Sequence, residues 1–401
     1  MSKVYIVDAK RTAIGSMLGT LKNQAPGELG AVVVRNILET TKLDPAKVDE
    51  VICGNILMAN QKQGVARQVQ IHAGIPCEVP AYGVNMICGS GLKAIMNAYT
   101  DVVSGFANIV VAGGSEVMSN TPYLIPSKAR DGFKMGNFQT VDHMINDALT
   151  DAFSGVHMGV TAENIVAKHC ITRAEQDEFA IASQTKAIAA VDAGEFKAEI
   201  VPVVIKDRKG DIVFDTDEYP NRKTTLEKLG TLRPAFIKDG SVTAGNASGI
   251  NDGAAFVMVA SEEAVKANDL KPLVEIVAIG QGGVDPQVMG LGPVPAIRNV
   301  LKAADMKLTD IDIFELNEAF AAQSLGVIKE LCKEHGVTKD WILDRTNVTG
   351  GAIALGHPVG ASGARILVTL IHNMIKRGKK YGLASLCIGG GMGTAVIVKL
   401  I

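Results

Sequence analysis

Aromatic residues are scarce: they fill 4% of 401 positions, with a single tryptophan. That leaves little from which to build the stacking platforms that hold nucleic-acid bases. An excess of either charge is also missing, since 40 Lys and Arg stand against 42 Asp and Glu, a formal net charge of -2. Local basic clusters such as Lys376-Arg377-Lys379-Lys380 are short and read as a solvated helix end. A nucleic-acid partner is therefore not expected. No apolar run approaches the roughly 18 residues of a membrane span. The N-terminus reads as a strand almost at once, not as a charged and apolar leader. The expectation is a cytoplasmic protein, or a mature form without its leader, that does not enter a membrane. None of the six cysteines falls in a C-x-x-C pair, and their spacings match no zinc template. No Walker loop or G-x-G-x-x-G follows the first strand, so neither common nucleotide cradle is present there.

What remains is the composition of an ordinary globular protein, 47% hydrophobic and 20% charged. Its length suggests two or three domains. Short apolar runs alternate with helical patterns. Strands are expected at 3–8, at 48–55, at 84–91 running into a glycine turn, and at 107–114 ending in Gly113-Gly114. Helices are expected at 27–40, at 64–73 and from Leu92 onward. The alternation returns later, with strands at 254–260, 274–280, 311–315, 382–391 and 394–400 and helices at 262–268, 295–304 and 318–330. Alternation of this kind implies an α/β fold with buried strands. Between the two series, from about Ser115 to Ala244, charged and irregular segments predominate, with helices near 161–168 and 173–193. This stretch reads as an insertion that carries specificity.

The two series repeat one another. Arg35-Asn36-Ile37-Leu38 through Val48-Asp49 matches Arg298-Asn299-Val300-Leu301 through Ile311-Asp312 without a gap. Cys88-Gly89-Ser90-Gly91-Leu92 resembles Gly360-Ala361-Ser362-Gly363-Ala364, and the strand ending in Gly113-Gly114 resembles the one ending in Gly389-Gly390. A duplicated α/β half-domain accounts for all three.

Chemistry gathers at strand ends, where open α/β sheets bind ligands. His357 sits in the glycine-rich run from Asn347 to Ser362, before Pro358 and a helix. Cys88 lies at a strand-to-helix junction, where free N–H groups and the helix dipole favour thiolate. Cys387 closes an apolar strand before Gly389-Gly390-Gly391. Asn317 and Glu318 stand where the strand through Phe314 gives way to a helix, and Asn317 as a helix cap is the simpler alternative. Two cysteines and a histidine also fit a metal site. A thiol beside a base is the arrangement nucleophilic catalysis needs, and that reading leads.

These residues carry a resemblance that runs from end to end. Val84-Asn-Met-Ile-Cys-Gly-Ser-Gly91, Ala244-Gly-Asn-Ala-Ser-Gly-Ile-Asn-Asp-Gly253, Asn317-Glu-Ala-Phe320, Gly350-Gly-Ala-Ile-Ala-Leu-Gly-His-Pro-Val-Gly360 and Cys387-Ile-Gly-Gly-Gly-Met-Gly393 resemble the thiolases, and among them the short-chain biosynthetic type. The resemblance implies the thiolase fold: two duplicated half-domains with a layered αβαβα core and an inserted loop domain. The implied boundaries are 1–120 with 245–270 for the first half, 121–244 for the insertion and 271–401 for the second half. It implies condensation of two acetyl-CoA to acetoacetyl-CoA and CoA, with no cofactor, no metal and a homotetrameric assembly. Cys88 would carry the acetyl group, and His357 would take its proton. Cys387 would deprotonate the second acetyl-CoA. His357 and a water on Asn317 would hold the enolate oxygen, and the N–H groups of Cys88 and Gly389 the tetrahedral intermediate.

Leu149, His157, Met158, Ser248, Met289 and Phe320 match positions that line the family's pantetheine tunnel. Near Tyr219 the sequence departs from the pattern. Asn221 stands where arginine is expected and Arg222 follows it, while Lys228 replaces a common serine. Arg222, Lys223 and Lys228 remain candidates to steer the phosphates. The alternatives are a degradative thiolase for longer 3-ketoacyl chains and a catalytically dead acyl-CoA or lipid carrier on the same scaffold. A ketoacyl-carrier-protein synthase would pair its cysteine with two histidines, and Cys387 argues against it.

Overall fold

Apolar strands of this kind need cover on both faces, and the fold provides it. The computed structural model describes residues 3–401. The first half runs through β1 (Val4–Thr12), α1 (Pro26–Thr41), β2 (Glu50–Gly54), α2 (Val65–His72), β3 (Ala81–Val84), α3 (Ser90–Val103) and β4 (Ile109–Val117). An insertion carries α4 (Met158–His169) and α5 (Arg173–Asp192), and the chain returns through β5 (Asn251–Ser261). The second half runs through β6 (Val274–Gly283), α6 (Pro293–Ala304), β7 (Ile313–Leu316), α7 (Ala321–His335), α8 (Val359–Arg377), β8 (Tyr381–Ile388) and β9 (Met392–Leu400). No helix among the described residues is long and apolar enough to cross a membrane.

The strands form one path in the order β7-β8-β9-β6-β1-β5-β4-β2-β3. Each half repeats one pattern. In the first, β2 runs parallel to β4, β4 antiparallel to β5, and β5 antiparallel to β1. In the second, β7 runs parallel to β8, β8 antiparallel to β9, and β9 antiparallel to β6. The halves join where β1 meets β6, pairing Tyr5 with Glu275 and Ile6 with Val274. The repeat in the sequence is thus a repeat of topology. Its Arg35 and Arg298 segments lie in the outer helices α1 and α6, and its Ser90 and Ser362 segments open the central helices α3 and α8.

Alternation along each strand sorts side chains between layers. On β4, Ile109 and Val111 pack outward with Val33 and Ile37 of α1, whereas Val110 and Ala112 pack inward with Ile95 of α3 and Ile366 of α8. On β8, Ala384 and Leu386 face the same central layer, while Leu383 turns outward to Ile297 of α6 and Leu325 of α7. The result is five layers, αβαβα, with α8 buried on nearly every side, its polar Ser362, Arg365, Thr369 and Asn373 included. The insertion is anchored to this core. Ile165 and Ile171 enter the second half's outer layer, and Ile200–Val201 pairs in parallel with β1. Arg11 is fully buried between Glu199 at 2.6 Å and a two-pronged Asp217 at 2.7 and 2.9 Å.

Several expected boundaries move. The strand expected at 84–91 ends at Val84, because Ile87 adopts φ +47 and turns the chain before α3. Gly113 and Gly114 lie within β4, not at its end. A side chain at Gly113 would strike Phe256, and one at Gly114 would strike the Gly360 carbonyl, so these glycines permit close packing across the sheet. The first strand extends to Thr12. The helix expected from Glu318 starts at Ala321, leaving Asn317 and Glu318 in a buried turn.

The central helices cross at small residues. A Cβ at Gly363 would lie 2.5 Å from the Leu92 backbone nitrogen and 2.8 Å from its Cβ. Backbone cannot swing aside, so overpacking outweighs the better helix propensity of alanine. Gly363→Ala should destabilise the protein by roughly 1–3 kcal/mol, seen as a lower Tm. An unchanged or higher Tm would contradict this crossing.

Candidate active site

The ends of β3, β7 and β8 and the turn before α8 converge on one cavity of about 400 Å³. Cys88 reaches it from the turn between β3 and α3. That turn is built by Ser90, whose hydroxyl donates to the Ile87 carbonyl at 2.7 Å and accepts from the Met86 N–H at 2.8 Å. The positive φ of β-branched Ile87 is strained backbone, a kind of conformation that concentrates at functional sites. Cys387, the last residue but one of β8, lies buried in the same wall. The two sulfurs are close enough for charge on Cys88 to oppose ionisation of Cys387. Gly389 directs its N–H at the Cys88 sulfur, as the N–H of Cys88 itself does.

His357 completes the set. Its ring is buried, and both nitrogens have partners. Nδ1 lies 2.5 Å from the Ser362 hydroxyl. Ser362 spends its one proton on the Pro358 carbonyl at 2.9 Å, so the proton between ring and hydroxyl belongs to Nδ1. Nε2 is then the bare acceptor, 3.5 Å from Asn317 Nδ2. The backbone is fixed as well, since the His357 N–H donates to Asn251 Oδ1 at 3.0 Å. Gly356 makes room for that contact: its φ is +102, and a Cβ there would sit 2.4 Å from the Asn251 side chain. Asn317 continues the β7–β8 ladder through its N–H to the Ser385 carbonyl at 3.0 Å. No group among the described residues hydrogen-bonds its buried Oδ1, an acceptor waiting for a donor.

Burial dominates the electrostatics. It pushes the Cys88 thiol up to about 11, against the pull of the two N–H groups. It also pushes Cys387 up, with Cys88 adding to the rise. It holds His357 down to about 3, with the charge of Arg365 adding to the effect. Desolvation thus outweighs the two N–H groups that favour a Cys88 thiolate. At rest the site holds two neutral thiols and one neutral imidazole whose Nε2 can accept a proton. Among the described residues no group of three or more His, Cys, Asp or Glu is arranged to hold a metal ion.

Leu149, His157, Met158, Tyr219, Ser248, Met289 and Phe320 line the same cavity. Arg222 and Lys228 do not. They border a neighbouring surface cavity of about 780 Å³ that shares Tyr219 and Ala244 with it. Arg222 is engaged by Asp192, and the Lys228 ammonium donates to the Lys223 carbonyl at 2.9 Å. Three contributors were not singled out in the sequence. Phe236 stacks on His157, centroids 4.7 Å apart, and meets Phe320 edge-on at 6.1 Å. Asn251 and Ser362 hold His357. Both stand inside glycine-rich motifs, and Ser362 also sits opposite Ser90 in the repeat. Phe236 carries no such signal.

Family models for "Thiolase, N-terminal domain" and "Thiolase, C-terminal domain" match residues 4–263 and 270–400. The chain is 52% identical over 398 residues to the acetyl-CoA acetyltransferase of Chromobacterium violaceum, covering 99% of each chain. It superposes on the solved acetyl-CoA acetyltransferase of Syntrophomonas wolfei with a TM-score of 0.97 at 41% identity, covering 100% of both chains. Human mitochondrial 3-ketoacyl-CoA thiolase is similar at a TM-score of 0.94 and 42% identity, over 100% of this chain and 99% of that one.

Alkylation follows the thiolate. A thiol raised to about 11 gains thiolate about tenfold per pH unit below that value. Iodoacetamide labelling of Cys88, followed on its own peptide with no ligand present, should therefore keep accelerating as pH rises past ~9. A plateau near neutral pH would mean a resting thiolate–imidazolium pair instead.

Proposed function

The chain belongs to the thiolase family, and on that premise we propose that it is an acetyl-CoA C-acetyltransferase. It condenses two acetyl-CoA to acetoacetyl-CoA and CoA, and runs the reverse thiolysis. The observation that carries this reading is the single cavity bordered by Cys88, His357 and Cys387.

The protons can be followed through the cycle. His357 Nε2 takes the Cys88 proton as the sulfur attacks the acetyl carbonyl. The oxygen that gains charge turns to the N–H groups of Cys88 and Gly389, which already point at that sulfur. CoA leaves as a thiolate and takes the proton of Cys387, so this buried thiol becomes a base only after the first half-reaction. Cys387 then removes a proton from the methyl group of the second acetyl-CoA. The enolate oxygen is held by His357 Nε2–H and by a water donating to the unpartnered Asn317 Oδ1. An imidazolium is strongly disfavoured here, so it persists only beside the negative charge of Cys387 or the enolate. The carbanion attacks the acetyl-cysteine, Cys88 leaves, and His357 returns its proton.

The side chains of Met158, Met289, His157, Phe236 and Phe320 crowd the cavity, which favours short acyl chains. Cavities outside it supply the rest of the coenzyme's length. Tyr219, Arg222 and Lys228 suit its adenine and phosphate end. We place the enzyme in the cytoplasm as a homotetramer. Support for assembly comes from β3, an edge strand with Tyr82 and Gly83 exposed, and from the exposed apolar side chains Tyr123, Ile125, Phe133 and Met135.

Two substitutions test the roles. Cys88→Ala should abolish labelling of the protein by radioactive acetyl-CoA; labelling at the unsubstituted rate would remove Cys88 from the mechanism. Cys387→Ala should still be labelled, yet form acetoacetyl-CoA slower by a factor on the order of 10³; undiminished condensation would exclude it as the base. A chain-length series separates this reading from a degradative 3-ketoacyl-CoA thiolase. Thiolysis should be fastest for acetoacetyl-CoA, and rates that climb with longer chains would favour the degradative enzyme.

A further inference from the structure

Glu315 and Arg365 are both fully buried behind the cavity, with Nη1 and Oε2 3.6 Å apart. Among the described residues, no group donates a hydrogen bond to either Glu315 carboxylate oxygen or accepts one from the three guanidinium nitrogens of Arg365. Buried charges normally come with close pairing and a full set of hydrogen bonds. A pair held this loosely needs a reason beyond packing.

Its place in the chain supplies one. Glu315 precedes Asn317 by two residues, so the two share a face along β7. Arg365 follows Ser362 by one turn on α8, again on the same face. Asn317 meets Nε2 of His357, and Ser362 meets Nδ1. The pair therefore joins strand to helix next to the two side chains that grip the ring, and burial pushes the Glu315 carboxyl up to about 8 even with Arg365 beside it. Nearby charges do not substitute for it. Glu199 and Glu318 face both members of the pair, Lys186 faces Glu315 and Arg11 faces Arg365. Glu199 is already bonded to Arg11 and Thr369, and Glu318 to Ser183 and Asn347.

We infer that Glu315 and Arg365 are a positioning pair: they set the spacing of β7 and α8, and so keep Ser362 and Asn317 where they hold His357 in its Nδ1–H tautomer. The kinetic consequence rests on the thiolase reading, whereas the tautomer does not. Arg365 also adds its positive charge to the burial that keeps the ring neutral.

The test uses ¹⁵N-histidine spectra and acetoacetyl-CoA thiolysis on the full-length protein and on Arg365→Met, Arg365→Lys and the double variant Glu315→Gln/Arg365→Met. Unsubstituted His357 should show one tautomer, protonated at Nδ1. Arg365→Met should show a mixture and lose kcat by a factor on the order of 10², with KM unchanged. Arg365→Lys, which keeps the charge, should restore the single tautomer and most of kcat. The double variant leaves no unpaired charge buried, so it provides a folded protein if Arg365→Met does not, and it should show the same mixture. A single Nδ1–H tautomer and undiminished kcat in the double variant would overturn the inference, as would a lysine variant no better than the methionine one. If the unsubstituted protein fails to cleave acetoacetyl-CoA, the functional reading falls, and the tautomer still decides the role of the pair.

Discussion

A neutral imidazole held at both nitrogens is the constraint on which the rest depends. Ser362 donates to Pro358 and so can only accept from Nδ1. That leaves the Nε2 lone pair at the cavity, beside a thiol on each strand end. Burial makes every charged form in this site costly. Charges must therefore be created together and removed together: a thiolate with an imidazolium, then an enolate with the same imidazolium. In the proposed cycle two cysteines suffice for opposite jobs because the departing coenzyme, not the resting protein, generates the second base.

Duplication explains how such a site is assembled from distant residues. Each central helix carries in its first turn a serine that fastens the turn before it, Ser90 under Cys88 and Ser362 under His357. The halves have diverged in what those turns carry, a cysteine in one and a histidine in the other. Glu116 fastens them together. Its carboxylate accepts from the Asn55 side chain and from the N–H groups of Ile56, Leu57 and Gly360. Even with these donors, burial pushes it up to about 7. The same crowding accounts for the glycines at the crossing of α3 and α8, where backbones touch and a methyl group has no room.

Much of this was legible in the sequence, because strand ends are marked by changes in texture. Cys88, Asn317, His357 and Cys387 each interrupt an apolar run or stand within glycines, and the pairing of the Arg35 and Arg298 segments disclosed the duplication. What was not legible depends on partners far away in the chain. Gly113-Gly114 read as a strand end, but β4 continues because Phe256 and Gly360 press against those positions from other elements. Ile87 gives no warning that it takes φ +47. Arg222 read as a candidate to steer a phosphate, and nothing in the sequence discloses its ion pair with Asp192, thirty positions away. Phe236 is a lone aromatic in an irregular stretch, and only the fold stacks it on His157.

The most direct measurement is a crystal structure of the protein flash-cooled after brief exposure to acetyl-CoA. It should reveal an acetyl group on Cys88 Sγ, its carbonyl oxygen within hydrogen-bond reach of the Gly389 N–H, and Cys387 unmodified across the cavity. An acetyl group on Cys387, or one on Cys88 with its carbonyl turned away from Gly389, would contradict the division of labour between the two sulfurs.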